Sequence, residues 1–304
     1  MIVEANKGGK VVTLNKDDYF SKIEEKLNDT EMYEQVTNPI NNNSISEFTE
    51  KLFKQNNIKQ SLKLQLNSIE DLPRIRGQPK LHKVNHSMRL ITCSRNTIQS
   101  SISTFAFSFI KELRTTIDNS MNNASEFVTK ITKINMEEDE NLASLDVQDM
   151  FTNIPLTSAV DLVINRIENS TTFNESTLSK TDLKKLLILS FSNNSTEFNK
   201  KIYKQKRNLP MGNCLSPILA DLYLDDYISK HLSKVNTEQK LFRYVGNILI
   251  ITKMTHIELN KYVEELNQIK SNIGFTTEFE KNSKVNFLDT TLTKNTNDNK
   301  IDVR

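Results

Sequence analysis

Cysteine is almost missing from this chain. Cys93 and Cys214 are the two present, far apart and without metal-ligand spacing around them. That is the usage of a reduced, intracellular protein, and it supplies no cysteine-based metal motif. No apolar run reaches the roughly 18 residues of a membrane span, which argues against a membrane protein. The opening MIVEANKGGKVV has no stretch apolar enough for a secretory signal. Tryptophan is absent and glycine and proline are scarce, at six each, while Asn, Lys and Ile are frequent. That bias resembles A/T-rich coding and carries no direct functional meaning. Internal repeats and long linkers are lacking too. What remains, 304 residues with 37% hydrophobic and 26% charged, is ordinary for a soluble globular protein of one large or two modest domains.

A net charge of +2 argues for no partner, but its distribution is uneven. RIRGQPKLHKVNHSMRLITCSR, from Arg74 to Arg95, carries six Lys or Arg, two His and no acid. KKIYKQKR, from Lys200 to Arg207, again has none. Such runs neutralise phosphates, although a basic run also serves as a solvated face.

Periodicity predicts a short strand at Val11 to Leu14, then a helix through YFSKIEEKL. Residues 40–66 read as helix plus loop, and LPRIRGQPK as extended and turn-containing. Ile98 to Ile117 has the spacing of one amphipathic helix. A strand at Leu142 to Val147 follows, then helices near 157–168 and 181–192 and a hairpin around 197–207. A helix from Ser216 to Leu232 precedes LFRYVGNILIIT, Leu241 to Thr252. There two β-branched runs flank a Gly-Asn pair, which predicts a tight hairpin with Gly supplying a positive φ. A helix at 256–272 and strands at 275–280 and 285–293 end the series. This order implies an α+β architecture, an antiparallel sheet with helices on one face.

Four segments, SLDVQDMFTNIP (144–155), LPMGNCLSPILADLY (209–223), FRYVGNILII (242–251) and VNFLDTTL (285–292), stand in the order of reverse-transcriptase palm motifs. IRGQPKLHK followed by MRLI resembles the fingers segment of Penelope-like elements, and EANKGGKVVTLNKDDY resembles their N-terminal motif. The resemblance runs through nearly the whole chain. It implies the fingers and palm of a right-hand polymerase. Residues 1–135 would be N-terminal extension and fingers. Residues 136–284 would be palm, with a helical insertion at about 157–195, and 285–304 primer-grip-like strands without a thumb. The implied activity is RNA-directed DNA synthesis in the nucleus, with RNA template, DNA primer or RNA–DNA hybrid, and dNTP as partners, and Mg²⁺ as cofactor.

Nucleotidyl transfer by two Mg²⁺ ions needs at least two carboxylates brought together, because Mg²⁺ takes hard oxygen ligands. Asp146, at the end of LASLDV, is the first candidate and the one metal ligand; a strand-ending Asp is the plain alternative. The resemblance makes Phe151 a gate against a ribose 2′-hydroxyl, and it places Met211 and Gly212 against the nascent base pair. Gly212, without a Cβ, lets backbone approach a base or phosphate. Ser216 and Pro217 open the next helix. Arg89 matches a triphosphate-gripping arginine, a role suited to its bidentate donors. Lys80 and Lys83 are further candidates for it, and Lys7 a weaker one.

The chain departs from the family at the turn. Tyr-x-Asp-Asp becomes Tyr244-Val245-Gly246-Asn247, so the acidic pair is replaced by a residue without a ligand and a neutral amide. The N-terminal motif has Asn6 where the family has Asp. Asp149 is expected on the opposite face if the strand alternation continues, and Asp225 and Asp226 are expected to be solvated. The expectation is a reverse transcriptase impaired at its metal site. The rival expectations are a non-catalytic RNA- or DNA-binding remnant and an inactive truncated retroelement copy.

Overall fold

The computed structural model describes every residue except 7–8, 38–42, 56, 68–70, 82–86, 193–194, 233–234, 236–239, 270–271 and 296–298. The chain folds as two interleaved units, Met1–Leu113 with Pro155–Leu219, and Arg114–Ile154 with Ala220–Arg304.

In chain order the first unit begins with β1 (Ile2–Glu4), β2 (Val11–Thr13), α1 (Lys16–Leu27), β3 (Tyr33–Val36), α2 (Asn43–Lys54), α3 (Gln60–Asn67), β4 (Arg74–Pro79), β5 (Met88–Cys93) and α4 (Ile98–Ile110). The second unit then contributes α5 (Ala124–Ile131), β6 (Asn141–Val147) and α6 (Met150–Asn153). The chain returns to the first through α7 (Leu156–Arg166), α8 (Thr171–Asn174), α9 (Lys180–Ser192), β7 (Ser195–Phe198) and β8 (Lys201–Gln205). Helix α10 (Ser216–His231) leads into β9 (Leu241–Tyr244), β10 (Asn247–Thr252), α11 (His256–Gln268), β11 (Phe275–Phe279), β12 (Lys284–Phe287), β13 (Thr290–Asn295) and β14 (Lys300–Val303).

The first unit is built on a five-stranded sheet in the order β3-β8-β7-β4-β5. Its pairs are antiparallel apart from β4 with β7. Helix α1 is set by local chemistry. The Asn15 side chain accepts from the Asp17 amide, Asp17 and Asp18 lie in the first turn, and Lys26 lies in the last. Its buried stripe, Tyr19, Ile23 and Leu27, packs on Ile75, Met88, Phe198 and Tyr203 of the sheet.

The second unit carries the antiparallel sheet β11-β6-β10-β9 and a smaller one, β12-β13-β14. Period-two alternation sends Leu142 of β6, Phe242 of β9, and Leu249 and Ile251 of β10 to one face. They form a core there with Phe127 and Ile131 of α5 and with Val285, Phe287, Leu292 and Ile301 of the smaller sheet. On the helical side, Tyr227 of α10 meets the ring of Phe275 at 5.7 Å, and its hydroxyl donates to the Leu266 carbonyl of α11. Helix α11 opens where Thr255-x-x-Glu258 makes reciprocal bonds, the Glu258 amide donating to Thr255 Oγ1 and the Thr255 amide to Glu258 Oε2.

Two predicted elements come out differently. The helix expected over Ile98 to Ile117 tightens into a 3₁₀ turn, Lys111–Thr116, after Ile110. The single strand expected over 285–293 is a hairpin, because Leu288 takes the left-handed region with φ 56° and reverses the chain between β12 and β13.

Candidate functional site

Asp146 sits one residue from the end of β6, exposed between the buried Leu145 and Val147. Its register partner on β10 is Asn247, and on β11 Thr276. Asn247 in turn stands opposite Tyr244 across the β9–β10 turn. The Gly246 carbonyl accepts from the Val147 amide at 2.9 Å, which ties the turn to β6 beside Asp146. Asp146, Gly246 and Asn247 are therefore brought together at one end of one sheet.

The turn is not made as the sequence predicts. Its left-handed residue is Val245, with φ 54°, and Gly246 lies outside the left-handed region. A positive φ at the first central position alone is the pattern of a type II′ turn, in which glycine is the natural first residue. Here the glycine stands second, and a β-branched side chain takes the strained place. A Cβ on Gly246 would meet Val147 Cβ at 3.5 Å and Met150 Sδ at 3.7 Å, ordinary contact distances. Neither space nor backbone demands a glycine at this position.

Phe151 follows Met150 in α6, half-buried, beyond an Asp149 whose φ of 41° marks a left-handed helix entry. The strand ends at Val147, so strand alternation does not extend to Asp149. Asp225 is not solvated. It is buried and accepts from the Asp118 amide at 3.3 Å, while the more open Asp226 pairs with Lys230 at 2.7 Å.

Arg243 is the residue that sequence reasoning missed. It is fully buried, and its Nη1 donates to Asp221 Oδ1 at 3.2 Å and to the Val245 carbonyl at 3.3 Å. Burial pushes the Asp221 carboxyl above its ordinary range, against the pull of Arg243 and Arg114, and pushes the Arg243 guanidinium below its own. A cation inside the apolar run LFRYV, with Asp221 and Asp225 one turn apart on the preceding helix, was the available signal.

The other candidates lie in the first unit. The Met211 carbonyl accepts from the Thr92 amide at 2.7 Å, and the Gly212 carbonyl from Ser94 Oγ at 2.6 Å. Gly212 has φ 114°, and a Cβ there would come to 1.9 Å from the Thr92 carbonyl oxygen. The backbone that closes on the Cβ side of this glycine is the chain's own, at Thr92. Asn213 locks the loop from below, its Nδ2 donating to Ser103 Oγ and to the Ser190 carbonyl. Ser216 Oγ closes the helix entry onto the Pro210 carbonyl at 2.6 Å.

Arg89 lies half-buried on β5, three residues before Thr92. Lys80 follows β4, its amide donating to the Ser87 carbonyl, and the Asn6 amide donates to the adjacent Pro79 carbonyl. Lys83 and Lys7 fall outside the described residues.

The donor set at the turn is one carboxylate and one neutral amide. That does not fit a pair of divalent ions demanding several hard anionic ligands. Among the described residues, no group of three or more His, Cys, Asp or Glu side chains is arranged to hold a metal ion. No described helix is long and apolar enough to cross a membrane.

This architecture is shared with polymerases. Apo telomerase from Candida tropicalis superposes with a TM-score of 0.66 at 12% identity, covering 100% of this chain and 56% of that one. Telomerase from Candida albicans, in complex with a fragment of telomeric RNA, gives 0.61 at 11% identity over 99% of this chain and 53% of that one. The Sicinivirus RNA-dependent RNA polymerase gives 0.51 at 13% identity over 80% and 56%. The chain thus spans little more than half the length of these similar structures. No curated protein sequence matches it. The family model for reverse transcriptase (RNA-dependent DNA polymerase) matches residues 81–297, most of the chain. With its α+β polymerase fold of fingers and palm, the chain belongs to the reverse transcriptase family.

Proposed function

We propose that this chain is the fingers and palm of a Penelope-like reverse transcriptase whose metal centre has lost its turn carboxylates. Residues 1–135 act as fingers, 136–284 as palm and 285–304 as primer-grip strands. Its partners are RNA template, DNA primer and dNTP, and its place of action is the nucleus. Arg89, with Lys80 and Lys83, grips the triphosphate. Phe151 excludes the ribose 2′-hydroxyl, and Met211 and Gly212 form part of the floor under the base pair.

One observation carries the impairment: Asp146 stands in register with Asn247, at a turn that offers no second carboxylate. In this family divalent ions stabilise the attacking and leaving oxygens, and a lost ligand forfeits several kcal/mol of that stabilisation. At 1.36 kcal/mol per tenfold, the expected loss is roughly a thousandfold or more in rate. The test is primer extension with Mg²⁺ by the parent and by the Gly246→Asp, Asn247→Asp variant. The variant should extend primers and gain thermal stability from Mg²⁺, since ligand binding to the native state raises its melting temperature. A parent that extends primers as well as the variant overturns the reading.

A second reading, nucleic-acid binding without chemistry, is favoured by the two basic runs. They supply β4, β5 and β8 of one sheet. It predicts an affinity for RNA–DNA hybrid that falls linearly on a log–log salt plot, even where no extension is seen.

A further inference from the structure

Two hairpin tips of the second unit hold a large apolar residue in the left-handed region, Val245 at φ 54° and Leu288 at φ 56°. Such a backbone is strained for these residues and persists only where its surroundings over-determine it. Leu288 has an evident holder, because its side chain packs against the core of the unit. Val245 has none of that kind, being 39% exposed. What reaches Val245 is a cation from beneath. Arg243 Nη1 donates to its carbonyl at 3.3 Å while anchored on Asp221 at 3.2 Å.

The backbone of Arg243 is fixed on its outer side as well. Its amide donates to the Asn119 carbonyl, and its carbonyl accepts from the Met121 amide. Its Nε and Nη2 are buried without a hydrogen-bond partner among the described residues. A fully buried guanidinium left partly unsatisfied is a costly group, so neutralising Asp221 is a weak reason to keep it.

We propose that Arg243 is a positioning residue: anchored on Asp221, it holds the Val245 carbonyl, and with it the left-handed turn that sets Asn247 opposite Asp146. This goes beyond the polymerase reading and stands whether or not the chain extends primers.

A double-mutant cycle tests it, using urea unfolding of the full chain as parent, Arg243→Lys, Val245→Gly and both together. Glycine takes a positive φ without strain, so Val245→Gly should raise the folding constant severalfold and make the clamp less necessary. Arg243→Lys keeps a charge for Asp221 but lacks the rigid planar fork. Its effect on the folding constant should be at least threefold smaller in the Val245→Gly background. Amide exchange followed by NMR gives a local readout, with Asn247, and Val147 whose amide donates to the Gly246 carbonyl, exchanging at least tenfold faster in Arg243→Lys while the other amides of β6 hold. If Arg243→Lys does not fold, Asp221→Asn replaces it in the same cycle, because it weakens the anchor by removing its charge and leaves the fork. Equal effects in both backgrounds, or exchange rising evenly through the unit, overturn the proposal and leave Arg243 as the counter-ion of a buried acid.

Discussion

Gly212 and Gly246 are two glycines in family motifs, one in each unit, and their surroundings differ completely. Gly212 has a left-handed φ of 114°, with the Thr92 carbonyl where a Cβ would go. Gly246 has neither constraint, and the space beside Val147 and Met150 would take a side chain. The first glycine is required by the fold. The second is only permitted by it, so a glycine at this position answers no demand of the turn. A glycine in a sequence motif therefore says little until its φ and its nearest backbone are known.

The comparison can be broken most directly at Gly212. Gly212→Ala combines left-handed strain with a backbone clash, and should destabilise the protein by about 3 kcal/mol or more in urea unfolding. A loss under about 1 kcal/mol would mean the loop shifts easily away from Thr92. Next in size is Ser94→Ala, which removes the Ser94 Oγ donation to the Gly212 carbonyl and should cost about 1 kcal/mol.

A pH series sharpens the second unit. Glu126 accepts from the Asn122 amide, Asn122 Nδ2 and Lys130 Nζ, and these bonds, Lys130 first, hold its carboxyl at about 2 against an ordinary 4.5. A depressed acid stabilises the native state above its unfolded pKa, and this contribution fades as pH falls from about 4.5 towards 2. Glu126→Gln should thus lose about 1 kcal/mol at pH 7, a figure held down by the solvent around Lys130, and almost nothing near pH 2. A difference independent of pH would remove the charge from the account. The smallest expected effect is Gly246→Ala, within about 0.5 kcal/mol of the parent and on the stabilising side, since alanine restricts the unfolded chain. A loss as large as that of Gly212→Ala would erase the contrast between the two glycines.

Much of the second unit was legible because its central strands are short apolar runs bounded by turn residues. LASLDV and FRYVGNILII predict β6, β9 and β10, helix α10 begins at the Ser-Pro pair, and α11 begins at the predicted residue 256. The turn was legible as a turn but not in its φ signs, which depend on Arg243 and on the ladder to β6 as well as on local sequence. Arg243 was not legible because its acid partner, Asp221, lies 22 residues earlier and only the fold brings them together. The same holds for Gly212, whose partner Thr92 is remote in sequence. Asp225 illustrates a related failure, since an acid next to Asp226 on a helix reads as solvated until the backbone amide of Asp118 is found at its tip. Strand β3, in the polar YEQV, was invisible because half of its residues face solvent and its pairing with β8 is long-range.

The central strand of the second unit raises a matter of timing. β6 pairs with β10 on one side and β11 on the other, and the register of Asp146 with Asn247 spans about a hundred residues of chain. During synthesis at roughly 5–20 residues per second, NLASLDV leaves the ribosome about 5–20 s before its first neighbour exists. Through that interval an apolar strand has both edges unpaired, the condition in which strands recruit one another. Slower elongation lengthens the wait.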